Sequence, residues 1–376
     1  MKRKKKNPDV YIRAKKVILS PNDKQKELLD KWLVQYKDAY NCTIKYIRQY
    51  RGSKDIGSKI DLRAKVEPLL ERHIFFNKIP SHIIHQAIFD AHKGHHIWQM
   101  SKKIRPMRYK KKADNLVIEG DMFSKKSNGF CISKLGKEMI STQPLKGITK
   151  NSRLSYRNNQ YILWVPTEED KIIDNHKVHR IALDPGLRTF QTGYSSKREH
   201  PEFGNDMKKI NYYVDALRRT EDNFNRGDTE VDSKITQRRM NTFKDRVRKR
   251  IKNIIRDLHW KTAKHLATNY ANISIGKFST RGVVSNAKRD TMGAFNKDKC
   301  YMLSHFTFRE RLKFKCEQYG SKYYEVSEFM TSKTCNNCKK PNMSLGSSKT
   351  FSCNRCGLTM DRDHNASINI YNKTKW

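Results

Sequence analysis

Apolar residues recur every three or four positions from Gln25 to Arg51, at Leu28, Leu29, Trp32, Leu33, Tyr36, Tyr40, Ile44 and Ile47. That period predicts one amphipathic helix with its stripe in a core and Lys24, Lys26, Lys31, Lys37 and Lys45 toward solvent. Pro21-Asn22-Asp23 predicts its start, with the acid favourable in the first turn. A short strand precedes it, at Val10, Ile12 and then Val17 to Leu19. Two more helices are expected, from about Ser58 to Leu70 and, after Pro80, through Ile83, Ile84, Ala87, Ile88 and Ala91 toward Trp98. From Asn115 to Val165 the period drops to two: Leu154, Tyr156, Tyr161, Leu163 and Val165 alternate around Arg157-Asn158-Asn159-Gln160, which predicts a hairpin. The N-terminal part thus reads as a helical unit inserted in, or following, a small β-barrel-like unit, with Glu168-Glu169-Asp170 as a boundary.

Beyond that boundary, Val178 to Leu183 predicts a strand that delivers Asp184 into a Pro185-Gly186 turn, and Phe190, Thr192 and Tyr194 alternate on a second strand. Phe243, Val247, Ile251, Ile254, Leu258 and Leu266 form the apolar stripe of a long helix, and Ile273 to Phe278 predicts another strand. An Asp at the end of a central strand is how an RNase H-like fold presents its first metal-binding carboxylate; it is equally ordinary turn chemistry.

Charge changes the picture most. The chain has 376 residues, enough for two or more units, with 36% hydrophobic and 31% charged residues. Lys and Arg number 79 against 38 Asp and Glu, a formal excess of +41 that calls for a polyanionic partner. No apolar run of about 18 residues could span a bilayer, and Met1-Lys2-Arg3-Lys4-Lys5-Lys6 leads into no apolar signal segment. Those six residues form either a solvated arm or a nuclear-import or phosphate-gripping element. Tyr109, Lys110 and Lys111, in an extended basic stretch over 102–112, suit phosphate contact with stacking. Arg246, Lys249, Arg250 and Arg256 on the back of the long helix suit a phosphate backbone.

Of eight cysteines, Cys42, Cys131, Cys300 and Cys316 are scattered and read as reduced thiols, which indicates an intracellular compartment. The other four form Cys335-x2-Cys338 and Cys353-x2-Cys356, separated by fourteen residues. Two such knuckles place four thiolates around one structural zinc with no open coordination position. Directly after them, Asp361-Arg362-Asp363-His364-Asn365 precedes an apolar helix at Ala366, Ile368 and Ile370, an arrangement that serves capping as well as chemistry. Arg362 and His364 are candidates for phosphate contact or plain surface.

The succession Leu183-Asp184-Pro185-Gly186, Thr331-Ser332-Lys333-Thr334-Cys335-x2-Cys338, Cys353-x2-Cys356-Gly357 and Asp361-x-Asp363-x-Asn365-Ala366-x2-Asn369-Ile370 resembles the TnpB family. These are RNA-guided nucleases of insertion sequences, related to type V CRISPR effectors and Fanzor proteins. The opening helix through Tyr40-Asn41 is also similar, so the likeness extends over nearly the whole chain. It implies an α+β multidomain protein: a basic arm and first wedge strand at 1–20, a helical recognition domain at 21–112 and a wedge β-barrel at 113–170. A RuvC nuclease domain of RNase H-like fold would follow at 171–330 and 360–376, with the zinc ribbon inserted at 331–359. The implied function is divalent-metal-dependent, RNA-guided DNA cleavage, associated with a transposable element and DNA recombination. Its partners would be an element-encoded guide RNA and double-stranded target DNA beside a short motif, and its location would be nuclear in a eukaryotic host and otherwise cytoplasmic.

Carried over residue by residue, Asp184 matches the first RuvC carboxylate and Asp363 the last. The middle position departs: where the bacterial family ends a strand with Glu, this chain has Gly276. Fanzor-like proteins carry a displaced Glu just before the Thr-Ser-Lys-Thr-Cys run, where Glu328 stands here. Tyr324, Val326 and Glu328 would share one strand face, with Glu325 on the other as the weaker candidate. Asp184, Glu328 and Asp363 would then hold two magnesium ions, with manganese able to substitute. Three other readings stay open at this point. They are a catalytically inactive RNA-guided DNA-binding regulator, a transposase-associated zinc-ribbon DNA-binding protein, and a DNA-joining transposase.

Overall fold

The computed structural model describes residues 9–49, 56–71, 79–100, 107–157, 159–174, 176–204, 206–225, 233–286, 293–346 and 348–376. The basic run at 1–6, residues 102–106 of the basic stretch, Arg51 and Asn158 of the expected hairpin lie outside them. The chain divides into two compact units, Ile12–Glu169 and Met1–Tyr11 with Asp170–Trp376.

In the first unit, β1 (Val10–Ser20) leads to helices α1 (Asp23–Gln49), α2 (Lys59–Glu71) and α3 (Ser81–Met100). Then come β2 (Asn115–Ile118), a short α4 (Ile132–Leu135), β3 (Ile140–Ser141), β4 (Ser152–Arg157) and β5 (Gln160–Asp170). The sheet order is β2-β4-β5-β1-β3. The helices therefore enter between the first and second strands of the sheet, which selects insertion over succession. The two apolar patches near the start belong to one strand of 11 residues. Asn22 starts α1 with a reciprocal cap: its Oδ1 accepts from Gln25 N at 2.9 Å, and its own N donates to Gln25 Oε1 at 3.1 Å. The α1 stripe is buried as its period demands, apart from Leu28 and Tyr40 at the rim.

The second unit contains β6 (Arg180–Pro185), β7 (Gln191–Ser195), β8 (Glu202–Phe203), α5 (Met207–Asn225), α6 (Ser233–Asn269) and β9 (Asn272–Gly276). It continues with α7 (Thr280–Asn286), α8 (Ala294–Leu303), α9 (His305–Tyr319), β10 (Lys322–Val326), β11 (Thr350–Ser352), β12 (Thr359–Asp361) and α10 (Arg362–Lys373). Its main sheet runs β10-β9-β6-β7-β8. The pairs β10–β9 and β9–β6 are parallel, whereas β6–β7 and β7–β8 are antiparallel. A hairpin feeding parallel strands gives the mixed sheet expected of an RNase H-like core. On α6 the core takes Val247, Ile251, Ile255 and Leu258. Ile255 replaces the expected Ile254, which is only partly buried, and Phe243 is 43% exposed. The anticipated strand from Ile273 to Phe278 stops at Gly276, and β10 stops at Val326, so Glu328 stands past the strand rather than on it. Among the described residues no helix is long and apolar enough to cross a membrane.

Candidate functional site

Three neighbouring strands end level with one another. Leu183 of β6 pairs with Ile275 of β9, so the next step along this parallel register sets Asp184 beside Gly276; Gly276 in turn pairs with Val326 of β10. The carboxyl ends of parallel strands are where open α/β sheets gather chemistry, because the strands stop there and side chains face a crevice.

Glu328 reaches this line by folding back. A Cβ on Gly276 would stand 2.7 Å from Glu328 Cγ and 3.0 Å from Cδ, and closer still to Oε1. The glutamate side chain thus occupies the space where a side chain from position 276 would begin. Its backbone is clamped from both sides: Lys373 Nζ donates to Ser327 O at 3.2 Å and to Phe329 O at 3.0 Å, and Thr331 N and Oγ1 donate to Glu328 O at 3.1 and 2.9 Å. Glu328 Oε1 is buried without a hydrogen-bond partner. Burial pushes its carboxyl up to about 7, against the opposing pull of Arg309. Glu325 is otherwise engaged: its Oε1 accepts from Tyr323 OH at 2.9 Å and lies 3.9 Å from Arg309 Nε.

Asp184 also sits well above the ordinary carboxylate range, through burial first and then the negative charges of Glu328 and Asp363. Asp363 enters from the first turn of α10, which packs on β6, β7 and β9. Burial raises its carboxyl too, opposed by the Arg188 guanidinium. The neighbouring Asp361 is spent as the N-cap, its Oδ1 accepting from Asp363 N at 2.8 Å and His364 N at 3.3 Å. Asp363 is not used in that cap, and its charge reaches Asp184. Burial holds all three acids toward their neutral forms, and at Asp184 the charges of the other two add to it, as suits a site for cations.

The four clustered cysteines converge as their spacing predicts. All their sulfurs lie within 4.8 Å of one another, with Cys335 to Cys356 at 3.7 Å and Cys338 to Cys353 at 3.5 Å. The two knuckles repeat one geometry: Lys339 N donates to Cys335 O and Gly357 N to Cys353 O, both at 3.0 Å. Lys339 and Gly357 each adopt positive φ, 61° and 72°, glycine without strain. Backbone N–H groups of Cys356 and Arg355 pull the Cys353 thiol down to about 6, favouring a thiolate. This set could hold one tetrahedral zinc. Phe351 and Leu345 supply the small core behind it.

The two asparagines of the terminal motif tie this ribbon to α10. Asn365 Oδ1 accepts from Asn336 N and Nδ2, both at 3.0 Å, and its Nδ2 donates to Thr334 O at 2.8 Å. Asn369 Nδ2 donates to Thr331 O and Thr334 O. Arg362 belongs to the same joint, donating to Gly346 O at 3.1 Å and Ser332 Oγ at 3.4 Å. Its guanidinium is a clamp on the ribbon. His364 Nε2 lies 3.3 Å from Glu202 Oε1, its ring 4.6 Å from that of His200.

This combination is matched by known proteins. Residues 305–370 fit the family model described as Cas12f1-like, TNB domain. A TnpB-like protein of Acanthamoeba polyphaga mimivirus is 31% identical over 98% of this chain and 75% of its own length. The chain belongs to the TnpB family. A second TnpB-like protein of that virus is 30% identical, again over 98% of this chain and 75% of its own. The fold is similar to that of Cas12f1 in a complex with sgRNA and target DNA, with a TM-score of 0.55, 13% identity and coverage of 93% of this chain and 83% of that one.

The expected basic residues fall in two places. Tyr109, 42% exposed, lies under the Arg48 guanidinium at 4.1 Å from its ring centre. Lys110 is half-buried over the rings of Tyr36 and Tyr40, with its backbone bonded to the Asn41 carboxamide; Lys111 is exposed. These three are in the first unit. Arg246, Lys249, Arg250 and Arg256 are all exposed on α6, in the second. Sequence reasoning missed Lys373, whose clamping role has no local signature, and the tyrosines and lysines of α5 that border Arg250.

Proposed function

We propose that this chain is an RNA-guided DNA endonuclease of Fanzor-like type, cutting target DNA with divalent metal at Asp184, Glu328 and Asp363. The observation that carries the reading is the Glu328 carboxyl over Gly276: a buried, unpartnered oxygen from a displaced glutamate, beside two further acids. Carboxylates of this kind can hold two divalent cations about 3.5–4 Å apart. Bound there, magnesium, or manganese in its place, would activate the attacking water and stabilise the leaving 3′ oxygen. The protein's share is positional. β6 fixes Asp184, the Lys373 and Thr331 bonds fix Glu328, and the Asp361 cap leaves Asp363 free.

Specificity would come from pairing of an element-encoded guide RNA with double-stranded DNA beside a short adjacent motif, the protein gripping the heteroduplex by charge and shape. Its excess of +41 supports such partners. On this reading 1–20 and 113–170 form the wedge, 21–112 recognition, 171–330 and 360–376 the RuvC domain, and 331–359 a ribbon held by one zinc. In a eukaryotic cell the protein would act in the nucleus, and cleavage would serve a transposable element and its recombination. The deciding test is to purify the protein with its bound RNA and assay target cutting in magnesium. Cutting that needs the RNA and the divalent ion supports the proposal; equal cutting by RNA-free protein overturns it.

A further inference from the structure

The flank of the second unit carries a groove that the site above does not use. It has a volume of about 500 Å³ and is lined by Lys208, Lys209, Tyr212 and Tyr213 of α5 with Arg250 and Ile254 of α6. The helical period explains it. α5 buries Met207, Ile210, Val214 and Leu217, so residues 208, 209, 212 and 213 fall on the neighbouring flank, beside the outer face of α6. No acid lines the groove. Lys209 lies 3.6 Å from Asp206, while Lys208 and Arg250 have no acidic partner among the described residues. The Arg250 guanidinium sits 5.2 Å from the centre of the Tyr213 ring, and Tyr212 meets that ring edge-on at 5.2 Å. Tyr212 itself is 70% exposed on α5.

We propose that this groove seats one unpaired nucleotide of a single-stranded nucleic acid, its base on Tyr212 and its flanking phosphates at Lys208, Lys209 and Arg250. The chemistry selects that ligand. Three cations, two of them without an acidic partner among the described residues, call for an anion, and an exposed ring beside them calls for a flat partner; a nucleotide in a strand offers both. A duplex keeps its base faces stacked internally, so an exposed tyrosine gives it nothing beyond what lysine gives. The volume is in the range of about 300–1,000 Å³ common to small-ligand sites. The inference rests on the proposed function only in that the chain must bind polynucleotides; it is independent of the carboxylates.

The test uses the full chain freed of nucleic acid, with short bromouridine RNA and bromodeoxyuridine DNA strands as photocrosslinking probes and a duplex as control. The tryptic peptide Ile210–Arg218 should carry the crosslink, and whichever of RNA or DNA labels it more names the source of the strand. Tyr212→Ala should weaken single-strand binding about 5- to 100-fold, leave the duplex unchanged, and abolish the crosslink, while Tyr212→Phe keeps all three. The Lys208→Ala, Arg250→Ala double variant should flatten the salt dependence by about 0.7 per lost phosphate contact. Unchanged single-strand binding by Tyr212→Ala, equal loss on the duplex, or the same loss in Tyr212→Phe overturns the site. Failure of the wild-type chain to bind any nucleic acid defeats this site and the proposed function together.

Discussion

Glu328 fills the space above Gly276 that a side chain at position 276 would need. Any Cβ at 276 meets the glutamate within 3.0 Å. Glycine in one strand thus leaves room for an acid arriving from the loop after the next, and a side chain there would displace it.

From this, Glu328→Gln should lower cleavage by at least about 100-fold, beyond the 10–100-fold usual for groups one shell out from a metal, with folding and target binding retained. Gly276→Ala should cost less, about 10–100-fold, because the flexible glutamate can swing aside at the expense of its position. Cleavage time courses and circular dichroism check both. Normal cutting by Glu328→Gln together with failure of Glu325→Gln would show that the wrong glutamate was chosen.

Asp184→Ala and Asp363→Ala should each abolish cutting in magnesium and leave target affinity largely intact, since on the proposed function affinity would come from backbone contacts and pairing. Asp361 separates the two acids of its motif. Asp361→Asn keeps the cap on α10 and should retain activity, whereas Asp361→Ala should lose about 0.5–2 kcal/mol of stability. Gel-shift and cleavage assays on the four variants decide it; an inactive, well-folded Asp361→Asn would move the metal role to Asp361.

The protein should contain one zinc per chain, measurable by elemental analysis. Because Asn365 and Asn369 bond the first knuckle to α10, losing the ribbon should also disturb Asp363. Cys353→Ser is expected to lose zinc and cleavage together. Asn365→Ala should keep zinc but cost about 1–3 kcal/mol through unsatisfied buried partners. A zinc-free Cys353→Ser that still cuts at the wild-type rate would break this link.

A pH dependence follows from a second pair of residues. His259 and His305 both stack on Phe190, at 5.0 and 5.3 Å. Burial, aided by the Arg311 charge, pulls His259 down to about 3; burial, aided by Arg309, pulls His305 down to about 4. Depressed folded-state values mean that the unfolded chain binds more protons below about 6.5. The stability these neutral rings confer is thus complete above pH 6.5 and is lost as the pH falls toward 4. The raised carboxyls of Asp184 and Glu328 act with the opposite sign, so the comparison must be between variants. His305→Gln should shallow the decline in unfolding free energy by up to about 1.4 kcal/mol per pH unit, read from denaturant curves at pH 7, 6 and 5. An unchanged slope would show that His305 is already protonated or solvated.

Much of this was legible without coordinates. Periods of 3.6 and 2 located the helices of the first unit and the β4–β5 hairpin, because local spacing decides which face an element can bury. The paired knuckles predicted their convergence, since four cysteines so spaced lie on two short turns closed by local bonds. The α6 register slipped, with Ile255 in place of Ile254, because both are apolar and only the packing partner chooses between them.

What the sequence could not decide is spatial. Strand ends are set by pairing, so β10 stops at Val326 where β9 runs out of partner, and Glu328 emerges from a loop instead of a strand face. The Lys373 bonds that hold that loop span 44 and 46 positions of chain, and no local pattern announces a contact at that separation. Nor could composition tell that Lys110 is half-buried over two rings while Lys208 and Arg250 stay exposed with no acidic partner among the described residues. Residue type fixes what a side chain can do; the surfaces that folding brings around it decide whether water, a neighbour or a ligand receives it.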